Sequence, residues 1–235
     1  MADLGQADIA LNKAAPEKAV PEKAARTYRV KSIFGPTIQG EGLHQGLPCV
    51  FLRFAGCNAW DGRRETRAAS ACPYCDTDFR GGDELTLAEI VVRLAAVTSG
   101  SQLGLVVTGG EPLLQVDAPL LAVLGARFPW LDIETNGTRD CPPRPDNVYI
   151  SCSPKRIIGQ DIVVAPDWWK ILIPDQQEFL PLALASGKPV FVQPTCPDAG
   201  PDGTVYAAHL RTCLELCFAH GCRLSIQLHK VIGVE

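Results

Sequence analysis

The chain has 235 residues, 46% hydrophobic and 20% charged, with a net charge of −4, a pI near 5.6 and a mean hydropathy of +0.07. That length buries one full domain core, the acidic balance argues against a duplex nucleic-acid binder with its basic face, and no apolar run reaches the roughly 18 residues of a membrane span. Ten cysteines in 235 residues fall below the roughly 8–10% of a disulfide scaffold, and no secretory signal pattern opens the chain, so the expectation is a cytoplasmic protein with reduced thiols, some of them metal ligands.

Residues 1–26 are biased toward Ala, Lys, Glu and Pro, and the unit Pro-Glu-Lys-Ala occurs at Pro16–Ala19 and again at Pro21–Ala24. Such a segment buries little and reads as a mobile low-complexity extension without chemistry. Residues 27–235 read as a single catalytic domain in which strands and helices alternate. Cys49–Ala55 is the first buried strand identified. Leu85–Val97 follows as an amphipathic helix with Leu87, Ile90, Val91 and Leu94 on one face and Thr86 and Glu89 spaced as a capping box. Leu103–Thr108 is a strand ending in Gly109-Gly110, and Asp117 can cap a helix running to about Phe128. Strands follow at Trp130–Thr135, Val148–Cys152, Trp168–Ile173, Val190–Gln193 and Leu224–Leu228, with a helix near Val205–His220 before the last. The alternation predicts an α/β fold with a parallel sheet. Polar and glycine motifs close successive strands, where barrels carry their sites. The strand count is low for eight-fold closure, so a partial (β/α) barrel is expected.

Cys57 stands just past the first of those strands, with fourteen residues between it and Cys72 and two between Cys72 and Cys75. Structural zinc takes a closed set of four ligands, whereas three thiolates on a four-iron cluster leave one iron open. Both readings stand on spacing alone, with His44 or Cys49 available as a fourth zinc ligand. Downstream, Gly109-Gly110-Glu111-Pro112 follows a strand; glycines there let backbone approach a ligand, and Glu111 offers an acceptor for an ammonium group.

With these motifs together the chain resembles the radical S-adenosylmethionine enzymes, which carry three cluster cysteines after an early strand, an aromatic residue before the last of them, and a Gly-Gly-Glu motif one strand later. Their usual spacing is three residues and then two. The 7-carboxy-7-deazaguanine synthase family tolerates an expanded loop, and its other marks are present: Pro36–Gly42, Arg53, Cys75-Asp76-Thr77, Thr108–Pro112, Ser153-Pro154-Lys155, Gln193-Pro194 and Gln227–Lys230.

The resemblance implies a lyase of queuosine biosynthesis that converts 6-carboxy-5,6,7,8-tetrahydropterin to 7-carboxy-7-deazaguanine. Cys57, Cys72 and Cys75 would hold a 4Fe-4S cluster. Tyr74, Cys75, Asp76, Gly110, Glu111, Ser153, Pro154, Lys155 and Gln193 would contact S-adenosylmethionine, and Thr77 would bind Mg²⁺. Ile38, Gln39, Gly40, Glu41, Arg53, Thr108 and the terminal Glu235 would contact the pterin. Arg53 suits its carboxylate, because a guanidinium pairs bidentately; Gln39 and Glu41 suit its N–H edge. A flavodoxin or ferredoxin as electron donor and a homodimer are expected on the same ground. The rivals are a glycyl-radical activase and a non-catalytic zinc module. His209, Cys213, Cys217 and His220 share one helix, where core packing is favoured over a second metal site.

Overall fold

The computed structural model describes residues 25–196 and 203–234. The expectations for the N-terminal extension and for Glu235 lie outside the described residues. The strands, in chain order, are β1 (Thr27–Ile38), β2 (Pro48–Phe54), β3 (Asp83–Thr86), β4 (Gly104–Gly109), β5 (Leu131–Thr135), β6 (Val148–Cys152), β7 (Trp168–Ile173), β8 (Val190–Pro194) and β9 (Arg223–Leu224). The helices are α1 (Leu87–Thr98), α2 (Ala118–Gly125), α3 (Leu180–Ala185), α4 (Thr204–His220) and α5 (Leu228–Ile232).

All nine described strands form one open sheet in the order β3-β1-β2-β4-β5-β6-β7-β8-β9. β1 runs antiparallel to β2 and β3, and every neighbouring pair from β2 to β9 is parallel. The partial (β/α) barrel expected from the sequence is what forms.

Period two organises this sheet. Val50, Leu52 and Phe54 of β2, Leu105 and Val107 of β4, Leu131 and Ile133 of β5, and Trp169 and Ile171 of β7 all join one apolar core. Leu120, Leu121 and Leu124 of α2 and Ile90 and Leu94 of α1 pack into the same core from outside, where truncating such a leucine to alanine costs about 2–5 kcal/mol. The alternate residues Phe51, Arg53, Thr108, Glu134, Lys170, Leu172 and Gln193 line a cavity on the other face.

Local chemistry sets the elements. Thr86 accepts from the Glu89 backbone while Glu89 returns to Thr86, so the expected capping box starts α1. Asp117 accepts from the Leu120 backbone at 3.0 Å and starts α2, which ends at Gly125 rather than near Phe128. No helix joins β5 to β6; the chain there contains Pro142, Pro143 and Pro145, which lack the donors a helix needs. The expected strand Leu224–Leu228 is shorter. β9 is two residues long, Ser225 turns inward to donate to Gln193 at 2.8 Å, and α5 begins at Leu228. β1 and β3 were not foreseen as strands.

Candidate active site

A cavity of about 380 Å³ lies on the inner face of the sheet, at the C-terminal ends of β2, β4, β5, β7 and β8. Cys57, Cys72 and Cys75 face it from the loop after β2, so the structure brings all three expected thiols to one wall. None of the ten cysteines is in a disulfide.

That loop is fastened at several points. The Gly56 backbone donates to Phe79 at 2.9 Å, and Cys75 donates to Cys72 at 3.0 Å, closing the turn between the last two thiols. The Asn58 amide donates to Thr138 at 2.8 Å and to Gln160 at 2.7 Å, and its carbonyl accepts from Asn136 at 2.8 Å. The loop is thereby tied to the segments after β5 and β6. The Gly109-Gly110 pair serves the same packing. The Gly110 and Glu111 backbones donate to Phe54 and Gly56 at 3.1 and 2.9 Å, and a Cβ on Gly110 would lie 1.9 Å from the Gly56 carbonyl oxygen. Only glycine permits that approach.

The thiols differ electrostatically. A hydrogen bond from Cys75 lowers the Cys72 thiol to about 7 against the effect of burial, with help from the Lys155 ammonium. Burial pushes Cys57 up. Sharing a proton with Cys72, together with burial, raises Cys75.

Around the thiols, the Tyr74 hydroxyl accepts from Gln176 at 3.2 Å, and the Lys155 ammonium lies 5.6 Å over the Tyr74 ring. Lys155 donates to the Ser153 carbonyl and hydroxyl at 3.0 and 3.1 Å; burial pushes its pKa down. Thr77 lines the cavity, and its hydroxyl closes no hydrogen bond among the described residues. Asp76 accepts from Lys230 at 2.6 Å, which ties α5 to the cysteine loop.

Two expected contacts are placed differently. Glu111 is fully buried behind the cavity wall. Its carboxylate accepts from the Leu113 backbone at 3.0 Å, the Thr135 hydroxyl at 2.7 Å and the Asn136 backbone at 2.7 Å. Those donors hold it in place, so it fixes the loop, and Gly109 and Gly110 rather than Glu111 border the cavity. Pro154 is likewise buried and does not line the cavity.

The opposite wall carries a charge network. Glu41 is ion-paired with Lys170 and accepts from the Gln193 amide at 3.0 Å. Lys170 also lies 3.5 Å from Glu134, which accepts from Thr108 at 3.0 Å. Burial alone would push Glu41 up, but the Lys170 ammonium outweighs it and holds the carboxyl at about 2. Ile38 and Gln39 line the same wall, and the Gln39 amide nitrogen is buried without a hydrogen bond. Gly40 accepts from the Leu228 backbone at 3.0 Å, and a Cβ there would lie 2.1 Å from His229 Nδ1. Gly40 thus makes room for the imidazole that enters the cavity.

Arg53 stands apart from that network. Its guanidinium lies 5.0 Å over the Phe34 ring, its Nε is buried and unpartnered, and it forms no ion pair among the described residues. Lys170, Glu134, Asn136 and Asn58 were not foreseen. For Lys170 and Glu134 the available signal was the single lysine inside the apolar run Trp168–Ile173 and the two acids, Asp132 and Glu134, inside Leu131–Thr135.

Neither proposed fourth zinc ligand reaches the thiols. Cys49 is buried near the start of β2, the strand end remote from Cys57. His44 is held by Asp132 at 2.9 Å and stacks on Trp130 with ring centroids 4.3 Å apart. Among the described residues no three His, Cys, Asp or Glu side chains converge on a single-ion site, and no helix is long and apolar enough to cross a membrane.

An open (β/α) sheet with three thiols on the loop after β2 is the arrangement expected of a radical S-adenosylmethionine enzyme. The chain is 40% identical over 219 residues to 7-carboxy-7-deazaguanine synthase of Bordetella pertussis, covering 88% of this chain and 99% of that protein. It is 37% identical over 225 residues to the synthase of Bradyrhizobium diazoefficiens, covering 89% and 100%. The chain belongs to the 7-carboxy-7-deazaguanine synthase family. The crystal structure of QueE from Escherichia coli shares the fold, with a TM-score of 0.64 and 23% identity over 86% of this chain and 95% of that one. No family model matches the chain.

Proposed function

We propose that the chain converts 6-carboxy-5,6,7,8-tetrahydropterin to 7-carboxy-7-deazaguanine. Substrate equals product plus ammonia, so the reaction is a rearranging elimination with no net oxidation. The observation that carries the reading is Arg53, a cation facing the cavity with no acid to meet it. A guanidinium in such a site calls for an anionic ligand, and a carboxylate matches its fork.

The thiol wall fits a 4Fe-4S cluster held by Cys57, Cys72 and Cys75, because the three thiols sit on one loop facing the cavity and the fourth zinc ligands lie elsewhere. When bound, the cluster and S-adenosylmethionine supply hydrogen-atom abstraction. The Gly109 and Gly110 backbone, Ser153 and Lys155 border the space beside it, where Lys155 offers a cation to a carboxylate. Thr77 presents an oxygen without a partner and would hold Mg²⁺, a cation that usually keeps several of its waters. Arg53 fixes the pterin carboxylate at one end. Glu41 and Gln39 face its N–H edge, and Thr108, the strand neighbour of Arg53, stands beside the carboxylate end, so the ring is oriented by both groups.

Flavodoxin or ferredoxin as electron donor, a homodimer and a cytoplasmic site belong to the same reading, by resemblance. Anaerobic reconstitution followed by incubation with the carboxypterin, S-adenosylmethionine and dithionite tests it. The expected outcome is a brown protein that releases 7-carboxy-7-deazaguanine and ammonia in equal amounts. A colourless protein holding one zinc and no labile sulfide would refute it.

A further inference from the structure

Lys170 is the one cation of the strand wall that touches two carboxylates, and nothing above gives it a part in the reaction. It rises from the middle of β7 into the cavity, paired with Glu41 and 3.5 Å from Glu134. Glu41 is gripped on both oxygens. One meets Lys170, and the other takes the Gln193 amide at 3.0 Å. Gln193 in turn accepts from the Ser225 hydroxyl at 2.8 Å, and Ser225 accepts from the Gly42 backbone at 3.0 Å. The chain of bonds returns to the residue after Glu41, so it fixes the plane of that carboxylate. A carboxylate has about four lone-pair sites. Two are used here, which leaves acceptor capacity toward the cavity.

We infer that Lys170 is a positioning residue that keeps Glu41 anionic and aimed, so that Glu41 accepts hydrogen bonds from the N–H edge of the bound heterocycle. This rests on the pterin reading above and assigns the residue that sets the pterin wall's charge. The groups facing Glu41 are Lys170 from β7, Glu134 from β5, and His229 and Lys230 from α5. Without Lys170, burial and Glu134 both favour a protonated Glu41. A protonated carboxyl offers a donor where the ligand also presents donors.

The test compares wild type, Lys170→Met, Glu41→Gln and the Glu41→Gln/Lys170→Met pair. The double variant removes both members of the Glu41–Lys170 pair, and Glu134 keeps the Thr108 hydroxyl as a donor. In Lys170→Met the KM for the carboxypterin is expected to rise about tenfold to a hundredfold. It should fall back as pH rises and Glu41 ionises, while wild type shows no such limb. On the Glu41→Gln background the lysine substitution should change KM less than about twofold. Infrared difference spectra at pH 7 should show a protonated-carboxyl band in Lys170→Met that is absent from wild type and from the double variant. Lys170→Arg should restore an ionised Glu41. An equal loss on both backgrounds, or an ionised Glu41 in Lys170→Met, overturns the proposal. Failure of wild type to turn over the carboxypterin overturns the functional reading instead, and the infrared bands still decide whether Lys170 governs Glu41.

Discussion

Arg53 lies with its guanidinium 5.0 Å over the ring of Phe34, and no carboxylate among the described residues neutralises it. The two side chains come from antiparallel strands, with Phe34 opposite Phe51 and Arg53 two residues further along β2. Stacking fixes the guanidinium plane and leaves its edge for a ligand. Arg53→Met is expected to raise the KM for the carboxypterin about a hundredfold, the loss of two charge-assisted hydrogen bonds. Arg53→Lys should recover little of it, because an ammonium cannot present a fork. An unchanged KM in Arg53→Met would move the carboxylate to another wall.

Thr77 offers a hydroxyl to the cavity two residues beyond Cys75. Thr77→Ala is expected to remove the stimulation of turnover by Mg²⁺, and Thr77→Ser to keep it. Iron and sulfide content should be the same in both. Titrating Mg²⁺ against the initial rate checks this, and a Thr77→Ala enzyme with full stimulation would exclude the hydroxyl as a ligand.

Gly40→Ala would place a methyl group 2.1 Å from His229 Nδ1 and 3.1 Å from the His229 backbone nitrogen. The imidazole and the start of α5 must give way. A misplacement of about 1 Å can cost on the order of a hundredfold in rate, so kcat/KM should fall at least tenfold. Stability should fall by less than about 2 kcal/mol, because no residue of α5 is fully buried. Kinetics and urea unfolding of the same sample separate the two, and adding His229→Ala should cost little more.

The ion pair of Glu41 with Lys170 has a pH signature in stability. Glu41 is held at about 2 in the folded state against an ordinary 4.5. A lowered folded pKa stabilises above the ordinary value, and that share is lost as pH falls toward about 2. The stability gap between wild type and Glu41→Gln should therefore be widest above pH 4.5 and narrow steadily at pH 4 and pH 3. Urea unfolding at each pH measures it; a constant gap would contradict the pairing.

Much of the fold was legible because β2 and β4 to β8 are apolar runs closed by polar turns. β1 was hidden by Lys31, Ser32 and the Gly35-Pro36 step, where register shifts replace clean alternation. β3 was hidden because Asp-Glu-Leu-Thr is an exposed, mostly polar edge. At the site, the thiols, Arg53, Glu41 and Gln193 announce themselves through motifs at strand ends. Lys170 and Glu134 do not, because each belongs to a strand whose two faces are both largely buried and whose period is therefore masked. The orientation of Glu111 depends on donors from Thr135 and Asn136, more than twenty residues away, which no local pattern carries.

The anchoring of Asn58 bears on the odd spacing of the thiols. Asn58 follows Cys57 directly and is bonded to Thr138, Gln160 and Asn136, while the Ser70 hydroxyl accepts from the Cys72 backbone at 3.1 Å. Between these two posts, Ala59 and Trp60 still line the cavity, and Ala59 donates to the Cys57 sulfur at 3.4 Å; the residues from there to Ser70 form an overhang, none of which lines the cavity. Doubling such a span costs only about 0.6 kcal/mol in closure entropy. The number of residues between the first two thiols is thus nearly neutral currency for evolution. It can drift between relatives while the reactive geometry stays fixed, which makes the posts, rather than the spacing, the feature to look for in more distant chains.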